Sequence, residues 1–296
     1  MSQPGSGSTR RNSLFAGSVF LAESAAMEHH GDPEGAQVGS LSARNDIAVA
    51  QLNAGRAQDA VDGLESLLVD CRAALGDSHE ETLMVEGNLA AACVIVGREE
   101  DGTQLMAANL AAREQVFGEE HSETLVARDA LATAYRLTGQ LSEALGMYSR
   151  VASQRSRVLG PAHPQTLNSR LGLGLARADT GDLLVAVNVV ASALRDAEMA
   201  HGERDTHTVS LRSCLGSMQS AAGLTEQALV ELGRAVTDSE TVLGADHPET
   251  VAVRKELQLV LAEAAADGPS VSVPQQWTPP PGIPAEIEIG GPAQAV

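Results

Sequence analysis

Four histidines stand on a fixed spacing: His79, His121, His163 and His247, with Asp205 in the slot they skip, each slot 42 residues from the last. Two residues after each histidine comes a carboxylate or an amide: Glu81, Glu123, Gln165 or Glu249. Imidazole beside carboxylate is the material of general acid–base catalysis and of zinc sites. Both chemistries need convergence, several ligands on one ion or a base within hydrogen-bond reach of its nucleophile. One imidazole per 42 residues does not converge, and a slot that accepts Asp205 suits a helix N-cap, where Asp is among the best residues. Pro164 and Pro248 follow two of the histidines, and Pro is favoured at the first helical position because its missing N–H costs nothing there. Glu81, Glu123 and Glu249 suit the positive end of a helix. The histidines are therefore expected to cap helices.

The rest of the chain offers no stronger chemistry. A phosphate-binding loop needs Gly-Lys-Ser/Thr, and the single lysine, Lys255, lies between Arg254 and Glu256. "HEETL" and "HSETL" lack the second histidine of a zinc protease, and no G-x-S-x-G occurs. "HHGD" at His29 reads as a helix end, and the glycines of "GLGLAR" from Gly172 read as packing residues. Cys71, Cys93 and Cys214 are odd in number and far apart, which fits a reducing compartment rather than a disulfide framework. The chain is read as not an enzyme, with no cofactor and no metal.

Composition narrows the class further. Aromatic residues make up 2% and the net charge is −19. The apolar residues are mostly Ala, Leu and Val, which favours closely packed helices over strands. So acidic a chain has no basic surface for nucleic acid, and no helix-turn-helix precedes the repeats. No apolar run is long enough to span a membrane.

The 42-residue period organises everything else. Gly55, Gly97, Gly139, Gly181 and Gly223 form one series, and Gly76, Gly118, Gly160, Gly202 and Gly244 a second. Each glycine closes a segment of helical periodicity and is expected at positive φ as a helix C-terminal stop. Two stops per period mean two helices per repeat, in the second copy near Thr82–Val96 and Asp101–Val116. The first helix carries a large apolar column, Ile47, Leu89, Leu131, Leu173, Leu215 and Leu257, then a small one, Ala48, Ala90, Ala132, Gly174 and Gly216. The second helix carries a small column, Ala60, Gly102, Ala144, Ala186 and Ala228, with a larger residue four positions on: Leu64, Met106, Tyr148, Val190 and Leu232. Small residues let helices cross closely and large ones fill the next groove.

"LATAYRLTGQLSEALGMYSRV", from Leu131, resembles a tetratricopeptide repeat (TPR): Leu131, Ala132, Tyr135, Gly139, Ala144 and Tyr148 fall at that family's spacing. The period and the "LGxxHPxT" linker resemble the kinesin light chain subclass, also found in bacterial arrays sometimes joined to NB-ARC-type NTPase domains. The resemblance covers about residues 40–265. It implies an all-α fold, a right-handed α-solenoid of about five TPR helix pairs with terminal capping helices. The family's first-helix tyrosine is present only as Tyr135, with Gln51, Cys93, Arg177, Gln219 and Leu261 at the other copies. Its paired asparagines, which in related arrays hold the backbone of a bound peptide, are reduced to Asn45 and Asn88.

The resemblance implies a protein-interaction scaffold or adaptor binding a peptide or helical segment on the concave face. The other reading is a regulatory sensor of a small peptide signal. The inner face is expected on the first helices, with Met84, Val94, Ile95, Leu137, Leu171 and Leu175 as an apolar floor. Asn45, Asp46, Asn88, Asp129 and Asp179 add polar points, so a partner with apolar anchors and basic flanks is expected, and neither nucleic acid nor membrane. Arg44, Arg128, Arg170, Arg212 and Arg254 share one first-helix position, with Glu86 in the second copy. They are expected to pair with neighbouring acids; the competing reading is a ladder for ligand carboxylates.

Residues 1–12 are read as a disordered N-terminus, 13–39 as a degenerate capping helix and linker, 40–266 as the array and 267–296 as a disordered Pro/Gly-rich tail carrying Trp277. A cytoplasmic location is expected. The alternative, export, rests on Arg10, Arg11 and the short apolar run that follows them.

Overall fold

The computed structural model describes residues 33–266. The capping-helix reading of residues 13–30 and the Trp277 tail lie outside the described residues. Eleven helices and no strands occupy the described part. They are α1 (Pro33–Asn53), α2 (Ala57–Leu75), α3 (Glu80–Ile95), α4 (Glu99–Phe117), α5 (Ser122–Leu137) and α6 (Leu141–Val158), then α7 (Pro164–Asp179), α8 (Leu183–His201), α9 (Thr206–Ala221), α10 (Thr225–Val242) and α11 (Pro248–Ala266). Odd-numbered helices are the first helices of the repeats and even-numbered ones the second. The chain divides into two compact units, the first ending at Gln154 and the second beginning at Arg155, within α6.

The histidines do cap helices. His79, His121, His163 and His247 each accept, through Nδ1, the backbone N–H two residues on, at 3.2, 3.3, 3.3 and 3.4 Å. Asp205 does more in the same slot, accepting from His207 at 2.9 Å and Thr208 at 3.4 Å, because a carboxylate oxygen has lone pairs for both. All ten glycines of the two series have φ between 75° and 98°. After the first helices the turn is of Schellman type: the N–H of the residue beyond the glycine returns to a carbonyl five residues back, as from Arg98 to Cys93 and from Gln140 to Tyr135, both at 2.8 Å. That tight stop is why the second helix begins at once.

The apolar columns pack as expected with two exceptions, Ile47 and Leu173. Leu89, Leu131, Leu215 and Leu257 are buried, but Ile47 is 59% exposed. Leu89 sits in a cluster with α2 side chains, Leu215 with those of α8, and Leu257 with those of α10, in each case the second helix of the preceding pair. Among the described residues no helix precedes α1, and none of them covers Ile47. Leu173 is half-buried.

The arginine row is structural. Arg44, Arg170 and Arg212 each donate to the carboxylate 26 residues on, Asp70, Asp196 and Asp238, in the second helix of the same pair. Arg128 finds Gln154 at that distance. Arg128, Arg212 and Arg254 also donate to the acid 14 residues back, Glu114, Glu198 and Glu240, in the second helix of the preceding pair. The second copy inverts the charges: Glu86 stands in the arginine slot and accepts at 2.7 Å from Arg72, which stands where Glu114, Glu198 and Glu240 stand in other copies. Swapping this pair should leave the array folded. We expect Arg72→Glu alone to destabilise by setting two acids against each other. Adding Glu86→Arg should restore the ion pair but not the hydrogen bond that Asn109 donates to Glu86, so recovery is partial, with a coupling of about 0.5–1 kcal/mol for so exposed an arginine. Urea unfolding of the four proteins of the cycle measures it; zero coupling would mean that solvent screens the pair out.

Candidate functional site

In the first unit the first helices are neighbours, α3 lying between α1 and α5. Their last turns present Ile95, 46% exposed, and Leu137, 48% exposed, at one repeat position. Where α3 and α5 meet above α4 there is a half-open cavity of about 40 Å³. Met84 and Ala91 of α3, Met106 of α4, and Val126, Ala127 and Ala130 of α5 give it apolar walls, and Gly87 leaves its side open. Asn88, Asn109, Arg113 and Glu123 are its polar lining.

Asn109, Arg113 and Glu123 form a hydrogen-bonded chain whose first two members are buried. Asn109 Nδ2 donates to the Leu83 carbonyl at 2.8 Å and to Glu86 Oε2 at 2.9 Å. Its Oδ1 accepts from Arg113 Nε at 2.9 Å, and Arg113 Nη1 donates to Glu123 Oε2 at 2.8 Å. Asn109 is 2% exposed and Arg113 4%. Sequence reading passed over both. The available signal was a polar residue in an apolar column, since Leu67, Val151, Ala193 and Ala235 occupy the Asn109 position in the other copies and all are buried.

The expected site residues fall into three groups. Met84 is half-buried beside the cavity, Ile95 and Leu137 are exposed, and Asp46 is exposed on α1. Asn45 and Asn88 depart from expectation: they do not face solvent but are buried, Asn88 Nδ2 donating to Asn45 Oδ1 at 2.9 Å, with Asn45 Nδ2 3.8 Å from Met84 Sδ. A carboxamide's donors and acceptors are satisfied more cheaply by a second carboxamide than left waiting in a dry helix contact. Asp129, expected as an exposed acid, is 7% exposed. Leu171 and Leu175, half-buried on α7, and Asp179, exposed at its end, belong to the second unit.

In that unit α9 carries half-buried Ser210, Ser213, Ser217 and Ser220, and α11 carries Glu256. Burial pushes the Glu256 carboxyl above its ordinary value of 4.5, and the hydrogen bond from Ser217 only partly opposes this. A raised carboxyl means that the native state holds the proton more readily than the unfolded chain. Its contribution to stability is full below 4.5 and is lost as pH rises through the raised value. Glu256→Gln should therefore raise the melting midpoint at pH 7, with the gain vanishing in acid below about pH 4. A gain independent of pH would mean that the charge is not its source. The thiols are quiet: burial pushes Cys71 up to about 11 and Cys214 up to about 12, and a thiol held protonated is a poor nucleophile. Among the described residues no group of three His, Cys, Asp or Glu side chains is placed to hold a metal, and no helix is long and apolar enough to cross a membrane.

Helix pairs at a 42-residue period, joined by arginine–carboxylate contacts and crossing through a column of small residues, define an all-α helical-repeat solenoid. Residues 85–153 and residues 208–249 each match a tetratricopeptide repeat model, so the chain contains tetratricopeptide (TPR) repeats. Among solved structures it is similar to the nearly identical TPR-like repeats of a kinesin light chain from Podosopora anserina, at 22% identity and a TM-score of 0.62, covering 73% of this chain and 98% of that one. A single-substitution variant of those repeats aligns at 22% identity with a TM-score of 0.64, over 74% and 99% of the two chains. BtubC (BKLC) from P. vanneervenii aligns at 18% identity with a TM-score of 0.52, over 74% and 95%. No curated protein matches the sequence. Tetratricopeptide repeats generally mediate protein–protein interaction.

Proposed function

We propose that the protein is a non-catalytic scaffold whose first-helix face in the first unit receives a segment of another protein. The observation that carries this reading is the pair Ile95 and Leu137, two large apolar side chains left about half exposed at one repeat position of the two helices that also wall the cavity. Apolar groups around a cleft, with a few polar groups to fix orientation, are the usual make-up of a recognition site. Exposed Asp46, the partly exposed Glu123 and a net charge of −19 favour a partner with basic residues, whose association should weaken as salt is added.

The test is a parallel capture from the native cell on the wild type and on the double variant Ile95→Glu, Leu137→Glu, both sites being exposed so that the fold should tolerate the change. A partner held by the wild type should be lost by the variant, with calorimetry showing at least a tenfold drop in affinity, about 1.4 kcal/mol. Equal capture with unchanged circular dichroism would move the site off this face.

A further inference from the structure

We propose that the cavity between α3 and α5 is an anchor pocket for a short aliphatic side chain, valine-sized or smaller, carried next to a basic residue in the partner segment. The proposal rests on the reading of this face as a binding face and says what the face selects. Size sets the first half. A buried water needs about 10–15 Å³ of such space, so about 40 Å³ takes an isopropyl tip and not an indole or phenyl ring. The walls are thioether and methyl groups from Met84, Met106, Val126 and Ala127, and methionine adapts its shape to what enters.

Charge sets the second half. The Arg113 guanidinium lines the cavity, but it is 4% exposed and is committed to Asn109 and Glu123, so it does not act as an anion receptor. The accessible charge is the carboxylate: the Glu123 side chain is 26% exposed and uses Oε2 for Arg113. An ammonium or guanidinium arriving beside the aliphatic anchor meets that carboxylate at the cavity's edge, where a charged hydrogen bond adds specificity. Gly87 makes the access. Its counterparts Asn45, Asp129, Leu171, Ser213 and Lys255 all carry side chains, and a Cβ at Gly87 would meet only Asn109 Oδ1, at 3.5 Å, an ordinary contact.

The test uses the full chain labelled with ¹³C at the methionine methyls and titrated with blocked dipeptides. Seven methionines give internal controls, among them Met199 in the second unit, 79% exposed. Acetyl-Val-Lys-amide should move the Met84 and Met106 methyls saturably and leave Met199 still. Acetyl-Trp-Lys-amide should not move them, and acetyl-Val-Glu-amide should bind about tenfold more weakly. Gly87→Leu, whose Cβ meets no backbone atom and whose branch would occupy the opening, should abolish the response. The proposal is overturned if the two methyls stay still with Val-Lys, if Trp-Lys moves them equally, or if Gly87→Leu leaves the response intact. If they stay still while the partner is lost by Ile95→Glu, Leu137→Glu, the pocket assignment fails and the binding face stands. If they respond while the partner ignores that double variant, the pocket stands and the reading of the face fails.

Discussion

Arg212→Ala should cost about 3–5 kcal/mol, the loss expected when one partner of a buried ionic group is removed and the others stay behind. Arg212 is 1% exposed on α9 and is held between Glu198 and Glu231, with Asp238 accepting a further hydrogen bond. Burial alone would push its guanidinium down, but these three acids hold it above its ordinary value. Burial pushes the carboxyls of Asp238 and Glu231 up in spite of Arg212, so without the arginine two desolvated acids would lose their counter-ion. Arg44→Ala is the matched control. It removes the same residue from the same repeat position, but Arg44 and its partner Asp70 have side chains 41% and 52% exposed, where a pair contributes at most about 1 kcal/mol. The Arg212→Ala deficit should also shrink in acid, because protonated Asp238 and Glu231 no longer need a cation. Urea unfolding at neutral and acidic pH tests both points. A loss at Arg212 no larger than at Arg44 would show that the buried guanidinium is not the neutralising centre of these helices.

Two glycine-to-alanine changes on adjacent helices should have opposite signs. In an exposed helix interior the change gains about 1 kcal/mol. Gly87 is half-buried, yet its Cβ finds only an ordinary contact, so Gly87→Ala should change stability in the same direction. Gly102→Ala should instead destabilise by about 1–3 kcal/mol, the cost of overpacking. Its Cβ would lie 2.8 Å from the Ala90 carbonyl oxygen and 2.9 Å from the Val94 nitrogen, backbone atoms that cannot step aside, and 2.6 Å from a Val94 methyl. Gly102 stands in the small column of the second helices, where Ala144 is wholly buried, so Ala144→Leu should incur a penalty of the same order. Thermal melts decide it. A gain from Gly102→Ala, or an unchanged midpoint for Ala144→Leu, would mean that this column is not where the helices cross most closely.

What the sequence determined by itself was everything that repeats within a few residues of itself. The histidine caps act over two residues, the glycine stops over five, and the crossing columns over four, so each was legible at every copy without knowing what lay across from it. The arginine row was visible as a row, and the 26- and 14-residue steps to its partners emerged only once the neighbouring helices were in place. Tertiary structure decided the rest. Asn45 and Asn88 looked like ligand-binding residues until the packing of α1 against α3 brought their carboxamides together, 43 residues apart in the chain. Ile47 fits its column by type yet none of the described residues covers it, because burial there requires a preceding second helix. The cavity beside Gly87 is a difference in volume between three helices, and the Asn109–Arg113–Glu123 chain that borders it breaks the repeat instead of following it. Periodicity shows what all the copies share. A site arises where one copy departs from the rest, and what the departure does depends on side chains that only packing brings within 3 Å of it.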